Sequence, residues 1–130
     1  MKNLVKSLVL VSVLSVFASC NKEDKNEHKP EISITSPEEG KMYHGEKVHI
    51  KAKLTHKSDD IHEYAVELKK VDSDEVVLKI NKHIHAQPVI IDTFWVNTNQ
   101  GHTDLKLTVS GSDHSHNITT KTVNFSSHIE

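Results

Sequence analysis

Two histidine pairs carry most of the chemistry available to this sequence. His83-Ile84-His85 is an i, i+2 pair, and on an extended strand both rings leave by the same face. His114-Ser115-His116 repeats the spacing among loop-forming residues. Neutral imidazole is the commonest metal ligand, so rings held a few ångströms apart chelate a divalent ion. His62 and His56 add further imidazoles, while Asp59, Asp60 and Asp113 can supply a carboxylate ligand or orient a ring from behind. Zn2+ accepts three or four such N/O ligands at about 2.0 to 2.2 Å in a tetrahedron. The excess is plain in the composition, where 11 of 130 residues are histidine. The one cysteine is Cys20 and the one methionine after Met1 is Met42, so a soft Cu(I) site lacks ligands. Zinc leads, with copper(II) and nickel as the other ions imidazole suits.

The elements that must position these residues are strands. From Glu31 onward apolar and polar residues alternate, with turn residues every 8 to 14 positions and no helical period, which is the signature of an all-β sandwich. The alternation predicts seven strands: Glu31 to Ser36, Lys47 to Thr55, His62 to Val71, Glu75 to Lys82, Val89 to Val96, Asp104 to Ser110 and Ile118 to Ser126. Val89 to Val96 is apolar on both faces, as a central strand is, and Trp95 is its largest core candidate. In a seven-strand sandwich alternate connections share an end, because each strand crosses the domain once. One pole then collects His56, His62, His83, His85, His114 and His116, six of the nine histidines from His44 to His116. His44 and His102 fall at the other pole as loop residues, His28 in the tether, and His49 and His128 on an exposed strand and the tail.

Composition bounds the rest. There is no arginine, and with Lys2 and Lys6 inside the first 19 residues the remainder carries a formal charge of −4. A mildly acidic surface without clustered basic residues excludes nucleic acid as a partner. The length after the leader suits one small domain with one core, expected as a monomer without disulfides. No H-E-x-x-H or comparable catalytic motif occurs, so the sequence is read as a non-enzyme.

The start has Lys2 and Lys6, an uncharged apolar run from Leu8 to Phe17, and Phe17-Ala18-Ser19-Cys20. This order resembles the lipobox of bacterial lipoproteins, and that resemblance implies a signal peptide over 1–19, removal of it, and acylation of Cys20. The apolar run is shorter than the roughly 20 residues a spanning helix needs, which leaves the acyl chains as the membrane attachment. Asn21-Lys22-Glu23-Asp24-Lys25 is similar to the export signal of Bacteroidota surface lipoproteins and implies the outer membrane, facing outward. Residues 20–30 read as a lipidated, flexible tether, and 31–127 as the folded domain.

Within that domain Pro30-Glu31-Ile32-Ser33-Ile34-Thr35-Ser36-Pro37, Gly45-Glu46-Lys47-Val48, and Leu105 to Val109 followed by Asp113, Asn117 and Thr-Lys-Thr-Val-Asn-Phe resemble bacterial immunoglobulin-like domains. The likeness is greatest to small Bacteroidota lipoproteins that carry a domain of unknown function. That family's turn before the last strand usually reads Asp-x-x-Gly-Asn; here His116 stands at the glycine. The expectation is a membrane-anchored surface lipoprotein binding a divalent metal through loop histidines, as accessory to an outer-membrane uptake receptor. The alternative is an adhesion or accessory module that binds a protein or glycan, and a third reading is a pH-responsive surface module using the same rings without a metal.

Overall fold

The computed structural model describes residues 28–98 and 100–129, so the expected signal peptide and the expected lipidation site at Cys20 lie outside the described residues. Eight strands form: β1 (Glu31–Ser36), β2 (Met42–His44), β3 (Lys47–Thr55), β4 (Ile61–Lys70), β5 (Val76–Ala86), β6 (Val89–Val96), β7 (Gly101–Ser112) and β8 (Ile118–Ile129). They build two sheets, β1-β3-β6 and β2-β8-β7-β4-β5. The chain is an all-β sandwich of immunoglobulin-like layout. β2, three residues long, is the strand that alternation misses, because Met42-Tyr43-His44 offers a single inward side chain.

The core follows from period-two alternation. β3 buries Val48, Ile50, Ala52 and Leu54 while the residues between them face water. Val66 and Leu68 of β4, Ile91 and Trp95 of β6, Leu105, Leu107 and Val109 of β7, and Phe125 of β8 meet them from the other strands. At about 25 cal/mol per Å2 of apolar surface removed from water, this layer is the main source of stability in a domain with no disulfide.

Two expectations change. β6 is the outer strand of the three-stranded sheet rather than a central one, and Ile90, Phe94 and Val96 are exposed along it. The cause is the tight turn at Asp72-Ser73-Asp74, where Asp74 takes a positive φ of 55°. It folds β5 back onto β4 as a hairpin, so β5 joins the larger sheet and leaves β6 without an outer neighbour. The histidines expected in loops and tail also move: His44, His102 and His128 all lie within strands.

The pole argument depends only on each strand crossing the domain once, and it survives. The β3–β4, β5–β6 and β7–β8 connections lie together, and hydrogen bonds tie them to one another. The Gln87 Oε1 accepts from the His56 backbone N–H at 3.0 Å, and Asp59 Oδ2 accepts from the His114 N–H at 3.3 Å.

Candidate metal centre

β5 runs four residues beyond Lys82, to Ala86, and this extension carries both His83 and His85. Ile84 and Ala86 pack toward the core, so His83 and His85 project outward from one face. On β4 the inward series Leu68, Val66, Tyr64 would continue to His62, yet Ile61 is the buried residue. The register explains it: Ile61 pairs Ala86 and Glu63 pairs His83, so two steps on β4 span three on β5. Such a bulge re-aims side chains. Here it frees His62 to join the outward rings across the hairpin.

The result is a cluster. His62 lies 4.2 Å from His83 and 5.1 Å from His85 between ring centres, and His83 lies 4.9 Å from His85. Two imidazoles on one tetrahedral ion have centres about 5 Å apart, given M–N bonds of about 2.0 Å. One nitrogen from each of the three rings falls within 4.8 Å of the others, and the triad could hold a metal ion. The His83 and His85 Nε2 atoms are 3.2 Å apart, close to the roughly 3.3 Å edge of a ligand tetrahedron around zinc. The Nδ1 of His62 is buried and has no hydrogen-bond partner among the described residues, a condition that an ion would relieve.

The surroundings fix which nitrogens are bare. His114 stacks on His85 at 5.0 Å, and its Nδ1–H donates to Asp59 Oδ1 at 3.1 Å. Its Nε2 therefore accepts, and His85 Nδ1–H donates to it at 2.9 Å, leaving His85 Nε2 free to ligate. These tautomers are assigned from the hydrogen-bond network. His83 Nδ1 faces Glu63 Oε1 at 3.5 Å. Carboxylate and imidazole partners behind a ligand raise its basicity and hold its orientation. Backbone donation from Asp60 leads the causes that keep the Asp59 carboxyl below its ordinary value; desolvation opposes, and contacts with His114 help. Desolvation, reinforced by the neighbouring His83, His114 and His85 rings, holds the His62 pKa down, which favours the neutral form that binds metal.

His56 and Asp113 serve the loops instead. Both side chains are almost fully buried, and His56 Nε2–H donates to Asp113 Oδ2 at 3.1 Å and to the His28 carbonyl at 2.8 Å. His56 Nδ1 accepts the Ser58 and Asp59 backbone N–H groups at 3.1 and 2.9 Å, so neither nitrogen is left for a metal. Asp113 Oδ1 accepts from the Ser115 and Asn117 N–H groups, both at 2.9 Å. Asp60 is exposed. Glu63, which spacing alone does not single out, stands beside His83 because of strand register.

His116 sits outside the ring contacts of the cluster and adopts a φ of 62°. Glycine takes that left-handed geometry without cost, and an L-residue there loses roughly 1 to 2 kcal/mol. His116→Gly is expected to raise stability by about 0.5 to 1 kcal/mol while zinc affinity stays within about twofold (about 0.4 kcal/mol). Urea unfolding and a zinc titration on the same sample check both halves.

No family model matches the chain and no curated protein does. Among solved structures, it is similar to the crystal structure of an engineered protein, at a TM-score of 0.54 and 14% identity over 75% of this chain. The chain spans 20% of that protein's length. The likeness concerns the fold alone. Fold and cluster together define an all-β sandwich with a histidine triad that could hold a metal ion.

Proposed function

We propose that this chain is a lipoprotein, anchored through acylated Cys20 to the outer membrane and displayed at the cell surface, that binds a divalent transition metal through His62, His83 and His85. Zinc is the first choice, because the donors are imidazole nitrogens and a tetrahedron fits their spacing. The protein would pass the ion to, or sense it for, an outer-membrane uptake receptor, acting as a monomer and not as an enzyme. The observation that carries this reading is the convergence of three imidazoles from two strands, with the Glu63 and Asp59 carboxylates behind them. Two carboxylates near a divalent ion on neutral ligands give electrostatic balance. A depression of about 300 Å3 beside His83, walled by Glu63, Tyr64, Gly111 and Ile118, gives an exchange partner access to one side.

A second reading has its own support. Ile90, Phe94 and Val96 form an exposed apolar stripe on the outer strand of the smaller sheet, with Lys47 Nζ 4.9 Å above the Phe94 ring. Such a stripe suits an adhesion or accessory module docking a protein or glycan without metal.

Calorimetric titration of Zn2+ into the full chain in detergent, with Cys20→Ser so that no thiol competes, tests the first reading. One equivalent bound tighter than about micromolar (about −8 kcal/mol) at about pH 7.4 is expected, lost at about pH 5.5, since protons compete for imidazole nitrogen near 6.5. Weak binding at several sites, or affinity unchanged at the lower pH, would discard histidine ligation. The metal-free protein has its own pH dependence. With the His62 pKa held down in the fold, the unfolded state binds more protons below pH 6.5, so this residue's part of the stability is intact above 6.5 and falls as pH drops toward the folded value.

A further inference from the structure

The opposite end of the larger sheet carries another set of histidines, unrelated to the first. β2 runs parallel to β8 with His44 opposite His128, and β7 runs antiparallel to β8 with His102 opposite the same His128. Directly opposed residues share a face of the sheet. The inward positions between them belong to Tyr43, which packs on the core, and to Ser127 and Leu105, which are buried. Three imidazoles therefore stand in one row on the solvent face, spanning three adjacent strands.

Strand register and hydrogen bonding set what these rings offer. His44 and His128 have ring centres 6.3 Å apart. His102 Nε2–H donates to Asp104 Oδ1 at 2.8 Å, and the Ser126 hydroxyl donates to the same oxygen at 2.6 Å. With Nε2 carrying the proton, His102 presents a bare Nδ1, and Asp104 is the carboxylate behind it. Strands lie about 4.8 Å apart, and two rings on one tetrahedral ion need centres about 5 Å apart. Rotation of solvent-facing side chains supplies the remaining ångström or so. The His102 ring, half exposed at 50%, has solvent beside it, and His44 and His128 make the larger part of that adjustment while Asp104 holds His102.

We infer that His44, His128 and His102 form a second site for a divalent transition metal ion, with Asp104 fixing the His102 tautomer. The donors are all borderline nitrogens, so Cu2+ binds most tightly of the ions imidazole selects. The row is open to water on one side and less preorganised than the triad, so it holds its ion more weakly and exchanges it faster. It rests on strand register alone and does not depend on what the triad binds.

The test uses the full chain in detergent with Cys20→Ser, and the triad removed as His62→Ala, His83→Ala and His85→Ala. Cu2+ is titrated and followed by electron paramagnetic resonance, which counts coordinating nitrogens. One remaining equivalent with at least two imidazole nitrogens is expected. His128→Ala on that background should weaken it at least tenfold, whereas His49→Ala, an exposed histidine outside the row, should leave it unchanged. Absence of the equivalent, or equal losses from His128→Ala and His49→Ala, would overturn the site. Should the triad variant fail to fold, the chain with its triad intact must take up a second equivalent of Cu2+ after the triad is filled, and His128→Ala must weaken that second equivalent at least tenfold while His49→Ala leaves it unchanged, or the inference fails.

Discussion

His85→Ala is expected to weaken zinc binding at least 100-fold (about 2.7 kcal/mol), and Asp59→Asn, which touches none of His62, His83 and His85 directly, by about tenfold or more. His85 does two jobs. Its Nε2 faces His83 Nε2 at 3.2 Å, placed where it could ligate an ion, and its Nδ1–H rests on His114. Asp59 acts two residues away through His114, whose Nδ1–H it accepts. With asparagine there, the His114 ring can turn over, and His85 then loses the acceptor that keeps its proton on Nδ1. Two bare Nε2 lone pairs 3.2 Å apart would repel, so in the metal-free cluster the neutral His83 ring donates its Nε2–H to His85 Nε2, and an ion there would shift that hydrogen to the His83 Nδ1 facing Glu63. Calorimetric zinc titration of the full chain with Cys20→Ser measures the affinities. No change on His85→Ala would remove this arrangement.

How much of this could be read from residue order depended on whether the property was local. Alternation in Lys47 to Thr55 is local, and β3 buries the four residues it names. Which loops share a pole follows from counting strand crossings, so the convergence of His62, His83, His85 and His114 was legible although up to 52 residues separate them. Register is not local. The bulge opposite His62, the pairing of Glu63 with His83, and the row formed by His44, His128 and His102 are each set by how one strand slides against another, and no spacing within a single strand encodes that. The place of β6 at a sheet edge was hidden for the same reason. Its residues look central, yet the neighbour it lacks was taken by the β4–β5 hairpin. His56 and Asp113 show the remaining ambiguity: both have metal-ligand chemistry, and only their mutual hydrogen bond and the backbone groups they satisfy identify them as builders of the loops.

That structural role predicts a large effect on stability from a polar residue. Asp113→Ala should cost about 3 kcal/mol, because it strands the Ser115 and Asn117 loop donors at once and takes one of two acceptors from the buried His56 N–H. For a domain of this size that corresponds to a fall of about 10 to 20 °C in Tm. Burial by itself pushes the Asp113 carboxyl up, but donation from Asn117, His56 and Ser115 outweighs it and the net displacement is downward. A carboxylate with a depressed folded pKa contributes stability above its unfolded value of 3.8, and loses it as pH falls from there through the folded value. Thermal melts should therefore show the difference between wild type and Asp113→Asn shrinking as pH falls below about 4. A variant that melts with the wild type at neutral pH would deny Asp113 this role. The consequence reaches the metal: the segment that Asp113 ties down begins with His114, and its partner His56 positions the Asp59 N–H at 2.9 Å. Loosening that pair frees Asp59 and His114 together, so the fraction of Asp113→Ala that stays folded in the cold should bind zinc about tenfold more weakly, as Asp59→Asn does. An affinity equal to wild type in that fraction would mean that the loops hold the triad without them.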